Sequence, residues 1–425
     1  MFHLNFSIPC LYVLARFLLP LPWPTRSKLA AGALLLFASQ FHLWNRLSSG
    51  SVFSPEFPQG VVVAFNWAFG AILFLAILQI ALDVVGLATL PFRRPAAIVS
   101  TRVRYAAALT AMGLAAIAVH QATRVPEAKD VEVAIRDLPP AFDGYRLVQL
   151  TDLHLSRLFQ ADWARAVVER ANALDADLIV VTGDLIDGSV QARRADVEPL
   201  RDLRAPDGVW MIPGNHEYYF GYDAWMQRFG ELGLRGLTNR HTVIRRNGAE
   251  IVLAGLADLR APANGHEGPD LDAALAGAPT GAPVILLEHQ PRNAPERAPH
   301  ADLQLSGHTH GGMIRGLGFF VARANNGFAS GAYRIGDMTL YLSNGTGLWP
   351  GFALRLGKPP EITRITLRVS GSRSVLPYGT TSVAAFPLQG KTEVNSTPGS
   401  VRQLPSFLES SSVNSADRRG SLPAI

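Results

Sequence analysis

Leu178-Ile179-Val180-Val181-Thr182-Gly183-Asp184 is an apolar run that ends in a small residue and a carboxylate. Four apolar residues without alternation read as a β-strand covered on both faces. The same grammar recurs along the chain. The run at 145–150 ends in Thr151-Asp152-Leu153-His154, and that at 209–212 ends in Pro213-Gly214-Asn215-His216-Glu217. The run at 284–287 ends in Glu288-His289, and that at 303–305 in Ser306-Gly307-His308-Thr309-His310-Gly311-Gly312. Between the first two strands, residues 163–174 have helical periodicity, with Ala164, Val167, Val168 and Ala171 on one face. Strands alternating with helix predict an α/β domain. Further strands are expected around 242–246, 251–255, 339–343 and 362–369.

Each of these polar groups follows the C-terminal end of a strand, where open α/β sheets place their sites. Asp152, His154, Asp184, Asn215, His289, His308 and His310 are seven side chains of metal-ligand type, and His216 is a spare histidine. Taken singly, most are ordinary: Asp-x-His is commonly a surface loop, and an Asp after a strand is often a helix cap. The Gly214–Glu217 cluster is more specific, and two imidazoles flanked by glycines at 307–312 have few structural uses. Seven ligands suit two neighbouring divalent cations that share one carboxylate, and two-metal sites usually act on phosphate esters. All donors are nitrogen or oxygen, which suits Mn, Fe or Zn.

The set resembles the calcineurin-like metallophosphoesterase superfamily, whose motifs run D-x-H, G-D, G-N-H-[DE], H and G-H-x-H. The resemblance covers about 145–370. Residues 340–357, then Pro360-Glu361-Ile362-Thr363, are similar to the tail of its bacterial membrane-associated branch, while Met313 stands where that branch often has Gln. The resemblance implies a β-sandwich flanked by helices (α/β/β/α). It implies that Asp152, His154 and His310 hold one metal, that Asn215, His289 and His308 hold the second, and that Asp184 bridges them. A metal-bridging hydroxide would attack phosphorus in line, with His216 as general acid to the leaving group. Glu217 is open to two readings, a partner for the His216 ring or a plain helix-start carboxylate. Arg292 reads as a solvated surface arginine rather than a phosphate contact, and Gly345-Thr346-Gly347 with Trp349 could frame the substrate mouth. There is no Walker loop and no Gly-x-Ser-x-Gly elbow.

The chain's 48% hydrophobic and 17% charged content is explained by its first 125 residues. Apolar stretches at 6–21, 30–44, 61–82 and 105–119 predict four helices, against the ~20 residues that cross a bilayer. The first of them could alternatively be a cleaved signal peptide. Asp83 and His120, at the ends of such segments, read as groups that reach the interface rather than as buried functional ones. Arg26 and Lys28 in one loop, and Arg93, Arg94, Arg102 and Arg104 in another, mark those loops as cytoplasmic and send the catalytic domain to the extracytoplasmic side. The organisation expected is therefore a transmembrane region at 1–125, a catalytic domain at 126–370 and a disordered Ser/Pro/Gly-rich tail at 371–425, with a sequon at Asn395. The single Cys10 excludes an internal disulfide or a thiolate metal site. The net charge of +5 sits largely beside membrane segments, so no nucleic-acid surface is expected.

The function expected is a membrane-anchored phosphodiesterase or phosphomonoesterase. Its partners are the lipid bilayer and a phosphate-ester substrate, lipid-linked substrates among the options. Two alternatives stand beside it: a non-catalytic sensor or scaffold on the same fold, and a pyrophosphatase acting on a nucleotide-activated lipid. A transporter with an appended domain is disfavoured, since the membrane segments lack paired buried charges and obvious repeats.

Overall fold

The computed structural model describes residues 2–89 and 99–370. Arg93, Arg94, the tail at 371–425 and the sequon at Asn395 lie outside the described residues.

The N-terminal region contains α1 (Phe2–Val13), running on into a π turn at Leu14–Leu18, then α2 (Thr25–Ser39), α3 (Phe41–Ser49), α4 (Gln59–Thr89) and α5 (Thr101–Thr123). Among the described residues, α4 and α5 are the two helices long and apolar enough to cross a membrane. The other two expected segments form shorter helices. The segment at 30–44 breaks at Gln40, whose ψ of 18° leaves the helical path between α2 and α3. The stretch at 6–21 yields a helix only as far as Leu18, with an apolar part, Ser7–Leu18, too short to span. Asp83 is satisfied by Arg16 at 2.9 Å, Tyr12 at 2.5 Å and Gln79 at 2.8 Å, so it is a structural acid.

Among the described residues twelve strands follow: β1 (Glu127–Ile135), β2 (Arg146–Leu150), β3 (Leu178–Thr182), β4 (Val209–Ile212), β5 (Arg235–Gly236), β6 (Arg240–Arg246), β7 (Ala249–Gly255), β8 (Val284–Leu287), β9 (Leu303–Ser306), β10 (Gly331–Ile335), β11 (Met338–Leu342) and β12 (Glu361–Val369). They form two six-stranded sheets, ordered β1-β12-β2-β3-β4-β5 and β10-β11-β9-β8-β7-β6. The centre of each sheet is parallel, as the continuous apolar runs require. Leu178 and Val180 of β3 point between the sheets, against Ile285 and Leu287 of β8 and Leu303 and Leu305 of β9. Ile179 and Val181, on the opposite face of the same strand, pack under α6 (Ala161–Asn172), α7 (Val190–Val197) and α9 (Tyr222–Glu231), with the short α8 (Asn215–Tyr219) at the end of β4. The outer face of the second sheet is covered by α10 (Leu271–Leu275) and α11 (Ala294–Arg297), and α12 (Gly318–Ala324) lies beyond the last candidate ligand. Helix, sheet, sheet and helix stack in that order, so the expected α/β/β/α sandwich is the fold.

The two regions are packed together. Asn66 of α4 donates to Pro350 O at 2.8 Å and accepts from Ala353 N at 2.7 Å, and the Arg355 N–H donates to Ala118 O of α5 at 2.9 Å. Glu56, in the loop between α3 and α4, is ion-paired with Arg193 and with Arg157, the latter at 2.8 Å.

Candidate metal centre

The parallel strands β2, β3 and β4 of one sheet and β8 and β9 of the other end on the same side, and all seven candidate ligands follow those ends. The loops there are tied to one another. Asp152 N–H donates to Gly183 O at 2.9 Å, His154 N–H to Asp184 O at 3.0 Å, and a parallel bridge joins Leu155 to Ile186. Asp152, His154, Asp184, His308 and His310 all hold left-handed backbone, with φ of 53°, 46°, 54°, 71° and 48°. Such conformations cost on the order of 1–3 kcal/mol each for side-chain-bearing residues and cluster where function over-determines the backbone. Gly214 is needed for approach: a Cβ there would lie 2.2 Å from Asp184 Oδ1. Gly183 needs both space and conformation, with φ of 93° and a would-be Cβ 2.7 Å from His289 Nδ1.

Donor atoms gather in overlapping groups: Asp152, His154 and His310; His154, Asp184 and His216; and Asp184, His289 and His308, each within 4.8 Å of one another. Asp184 is common to two of them. Its Oδ2 lies 3.3 Å from His289 Nε2, 3.7 Å from His154 Nε2 and 3.9 Å from His216 Nε2. Asp152 Oδ1 lies 3.7 Å from His310 Nε2 and 3.9 Å from His154 Nε2. Backbone groups aim the carboxylates: His308 N–H donates to Asp152 at 3.0 Å, and His216 N–H to Asp184 Oδ1 at 2.9 Å.

The residues fit a pair of divalent cations. Thr182 O accepts from His289 Nδ1 at 2.8 Å, and Asp187 faces His154 Nδ1 at 3.1 Å, so each ring presents Nε2 to the cluster. Those two Nε2 atoms and the Asn215 Oδ1 are buried and make no hydrogen bond. Buried polar atoms are normally satisfied, and converging orphaned acceptors are what a cation would occupy.

The electrostatics are those of a crowded, water-poor cluster. Burial, with Asp184 close by, raises Asp152 above the carboxylate range. Burial would raise Asp184 too, but His289 and His216 outweigh it and hold the group well below that range. Burial and His289 push His308 down to about 3, and burial and His154 hold His310 well below the usual imidazole value. Both rings are therefore neutral at pH 7, the form that ligates metal. His216 goes the other way: against its burial, Asp184 and Asp187 push it up to about 9.

Glu217 does not hold the His216 ring, which corrects one of the two expectations for it. It is fully buried and accepts three backbone N–H groups, from Gly214 at 2.7 Å, Leu185 at 2.7 Å and Asp184 at 3.0 Å. The helix-start reading is the better one, extended to the neighbouring loop. The partner of His216 is Asp187, whose other oxygen faces His154. In the sequence Asp187 is an acid before a glycine, with no pattern to mark it. Arg292 bonds Ala324 O at 2.9 Å and is exposed, as its surface reading predicts. Two further groups escaped the sequence reading. Phe53, from the N-terminal region, lies 5.1 Å from the His216 ring, 5.5 Å from Tyr219 and 5.5 Å from Trp349. The fully buried Arg355 donates to the carbonyls of His310 and Lys358, both at 3.2 Å, Asn344 at 2.6 Å and Gly347 at 2.8 Å.

Comparison with known proteins gives a consistent picture. The family model described as calcineurin-like phosphoesterase matches residues 145–312. A protein of Danio rerio named "Transmembrane protein with metallophosphoesterase domain" is 36% identical over 266 residues, 60% of this chain and 60% of that one. Its namesake in Bos taurus is 35% identical over 271 residues, again 60% of each chain. The chain thus matches less than two thirds of the length of these relatives. The uncharacterized metallophosphoesterase YkuE of Bacillus subtilis is 32% identical over 272 residues, 62% of this chain and 93% of YkuE.

Proposed function

The chain belongs to the calcineurin-like phosphoesterase family, and on that footing we propose that it is a membrane-anchored phosphoesterase with a two-metal centre. The observation that carries this reading is Asp184, which belongs to two of the three donor groups and whose Oδ2 lies 3.3–3.9 Å from Nε2 of His289, His154 and His216. Asp152, His154 and His310 would hold one cation, and Asn215, His289 and His308 the other, with Asp184 shared. When bound, two such cations would activate water as a nucleophile and take up charge developing on a phosphoryl group.

The rest is the work of the chain's own side chains. His216 is raised above the usual imidazole value by Asp184 and Asp187 and presents Nε2 to the cluster, so it can hand a proton to a leaving oxygen. Asp187 fixes the ring by Nδ1 and keeps the positive charge compensated. Phe53 and Tyr219 cover the ring and keep bulk water from it. His216 also stands in a donor group with His154 and Asp184. The proton-donor role is preferred because each proposed cation already has four protein ligands without it.

Anchoring rests on α4 and α5 and on the names of the vertebrate relatives. Arg26 and Lys28, in the first turn of α2, and the start of α5 share one end of the helical bundle, where Trp23 donates to Tyr105 at 2.9 Å. The catalytic domain packs at the other end, which supports two crossings with the domain on the extracytoplasmic face.

The test uses the full chain, purified in detergent, stripped of metal and given Mn, Zn, Fe or Mg in turn. Hydrolysis of an aryl phosphodiester and an aryl phosphomonoester is measured beside Asp184→Asn and His216→Ala. Activity that metal restores and both substitutions remove is the expected result. No activity with any cation, despite bound metal by elemental analysis, would overturn the proposal for such substrates.

A further inference from the structure

Phe319 and Phe320, on α12, are 60% and 62% exposed, and among the described residues no other large apolar side chain beyond α5 is so exposed. Their ring centroids lie 3.8 Å apart, making one aromatic knob. The segment leading to it is part of the N-terminal packing: Ile314 and Leu317 share an apolar cluster with Phe69 of α4 and Val119 of α5.

The length of α4 sets the level of this contact. Its 31 residues extend about 46 Å at ~1.5 Å per residue, well beyond the ~30 Å of a hydrocarbon core. The excess is used in docking. Val62, Asn66 and Phe69 are buried, and Leu354 Cδ2 would lie 2.7 Å from a Cβ placed on Gly70. Residues 70–89 remain, about 30 Å of helix at ~1.5 Å per residue, and they carry the exposed Ile77, Ile80, Val84, Val85 and Leu87. On the reading that α4 crosses the bilayer, the membrane surface lies toward the Gly70 end of the helix, beside the loop from which α12 projects.

We propose that Phe319 and Phe320 form an interfacial anchor that enters the headgroup region of the bilayer crossed by α4 and α5, with the exposed Arg315 and Arg323 on lipid phosphates. Phenylalanine on a surface helix can enter the boundary between headgroups and acyl chains, and arginine pairs with phosphate. The knob follows His310 by nine residues, so its depth fixes the height of the candidate centre above the lipid. The proposal rests on the reading that α4 and α5 span the membrane, and its test separates the two.

In a Cys10→Ala background, single cysteines replace Phe320, Ile80 on α4 or Arg245 on β6, and each carries an environment-sensitive fluorophore. The full chain is reconstituted into phosphatidylcholine and phosphatidylglycerol vesicles containing shallow or deep nitroxide lipids. Expected is at least twofold quenching at 320 by the shallow nitroxide, quenching at 80 by the deep one, and none at 245. Quenching at 80 without quenching at 320 overturns the anchor and leaves the spanning helices standing. A blue-shifted but unquenched probe at 320 also overturns it, since the knob is then covered by protein. An unquenched probe at 80 overturns both readings.

Discussion

Asp187 holds the Nδ1 face of His216 with one carboxylate oxygen, and with the other it faces Nδ1 of His154. One buried acid thus orients a candidate metal ligand and the candidate proton donor together. Asp187→Asn keeps the shape but leaves a single acceptor oxygen for two rings. Loss of such an outer partner typically costs about 10–100-fold in metal affinity or activity. We expect losses of that size in both, read by metal titration and by kcat on the aryl diester. A loss in kcat alone would mean that His154 is positioned without Asp187.

The pH profile follows from His216. Its value is raised to about 9, so the proton is present below that pH and lost above it. A proton donor works only in the protonated form, so kcat should fall as pH rises through an alkaline limb. Bound cations repel the ring's positive charge and move the limb below pH 9. In His216→Ala the limb should vanish and the residual rate be flat across it. An unchanged limb in that variant would assign it to another group.

Glu217 is predicted to be a stability residue. Its carboxylate accepts N–H groups from the loops after both β3 and β4. In Glu217→Gln the amide must turn an N–H toward a backbone N–H, leaving a buried donor unsatisfied at about 1–3 kcal/mol. Thermal denaturation of the metal-free protein should show a drop of several degrees, with the alkaline limb in place. An unchanged melt would show that the three contacts contribute little.

Phe53 belongs to the N-terminal region yet covers the candidate proton donor. An aromatic pair adds about 0.5–1.5 kcal/mol beyond its area, so Phe53→Ala should raise KM roughly three- to tenfold for an aryl diester and much less for an alkyl one. Equal effects on both substrates would place the ring outside the leaving-group path.

The convergence of the seven candidate residues is legible because each follows an apolar run in a parallel strand, and parallel strands deliver their ends to one place. Asp187 was not. Its role arises from the bridge of Leu155 to Ile186, a contact between loops that no periodicity announces. Strand β1 was missed for a related reason. It is a charged edge strand, held to β12 by ion pairs such as Asp130 with Arg364 and Glu132 with Arg368. The stretch at 30–44 gives two helices because composition does not register a break such as Gln40, and α4 runs past 82 because the charge of Asp83 is met by Arg16, Tyr12 and Gln79.

Arg355 gives the chain a direction of assembly. Its backbone N–H is spent on α5, while its side chain threads the carbonyls beneath His310. A ribosome delivers α4 and α5 some two hundred residues before Arg355, so the helices are in place when the last loop of the catalytic fold closes on them. A fragment starting after α5 would lack that template and expose Ile314 and Leu354, buried here against the helices. The N-terminal helices are in this sense expected to template the closing loop, and a fragment without them to be less soluble than the full chain.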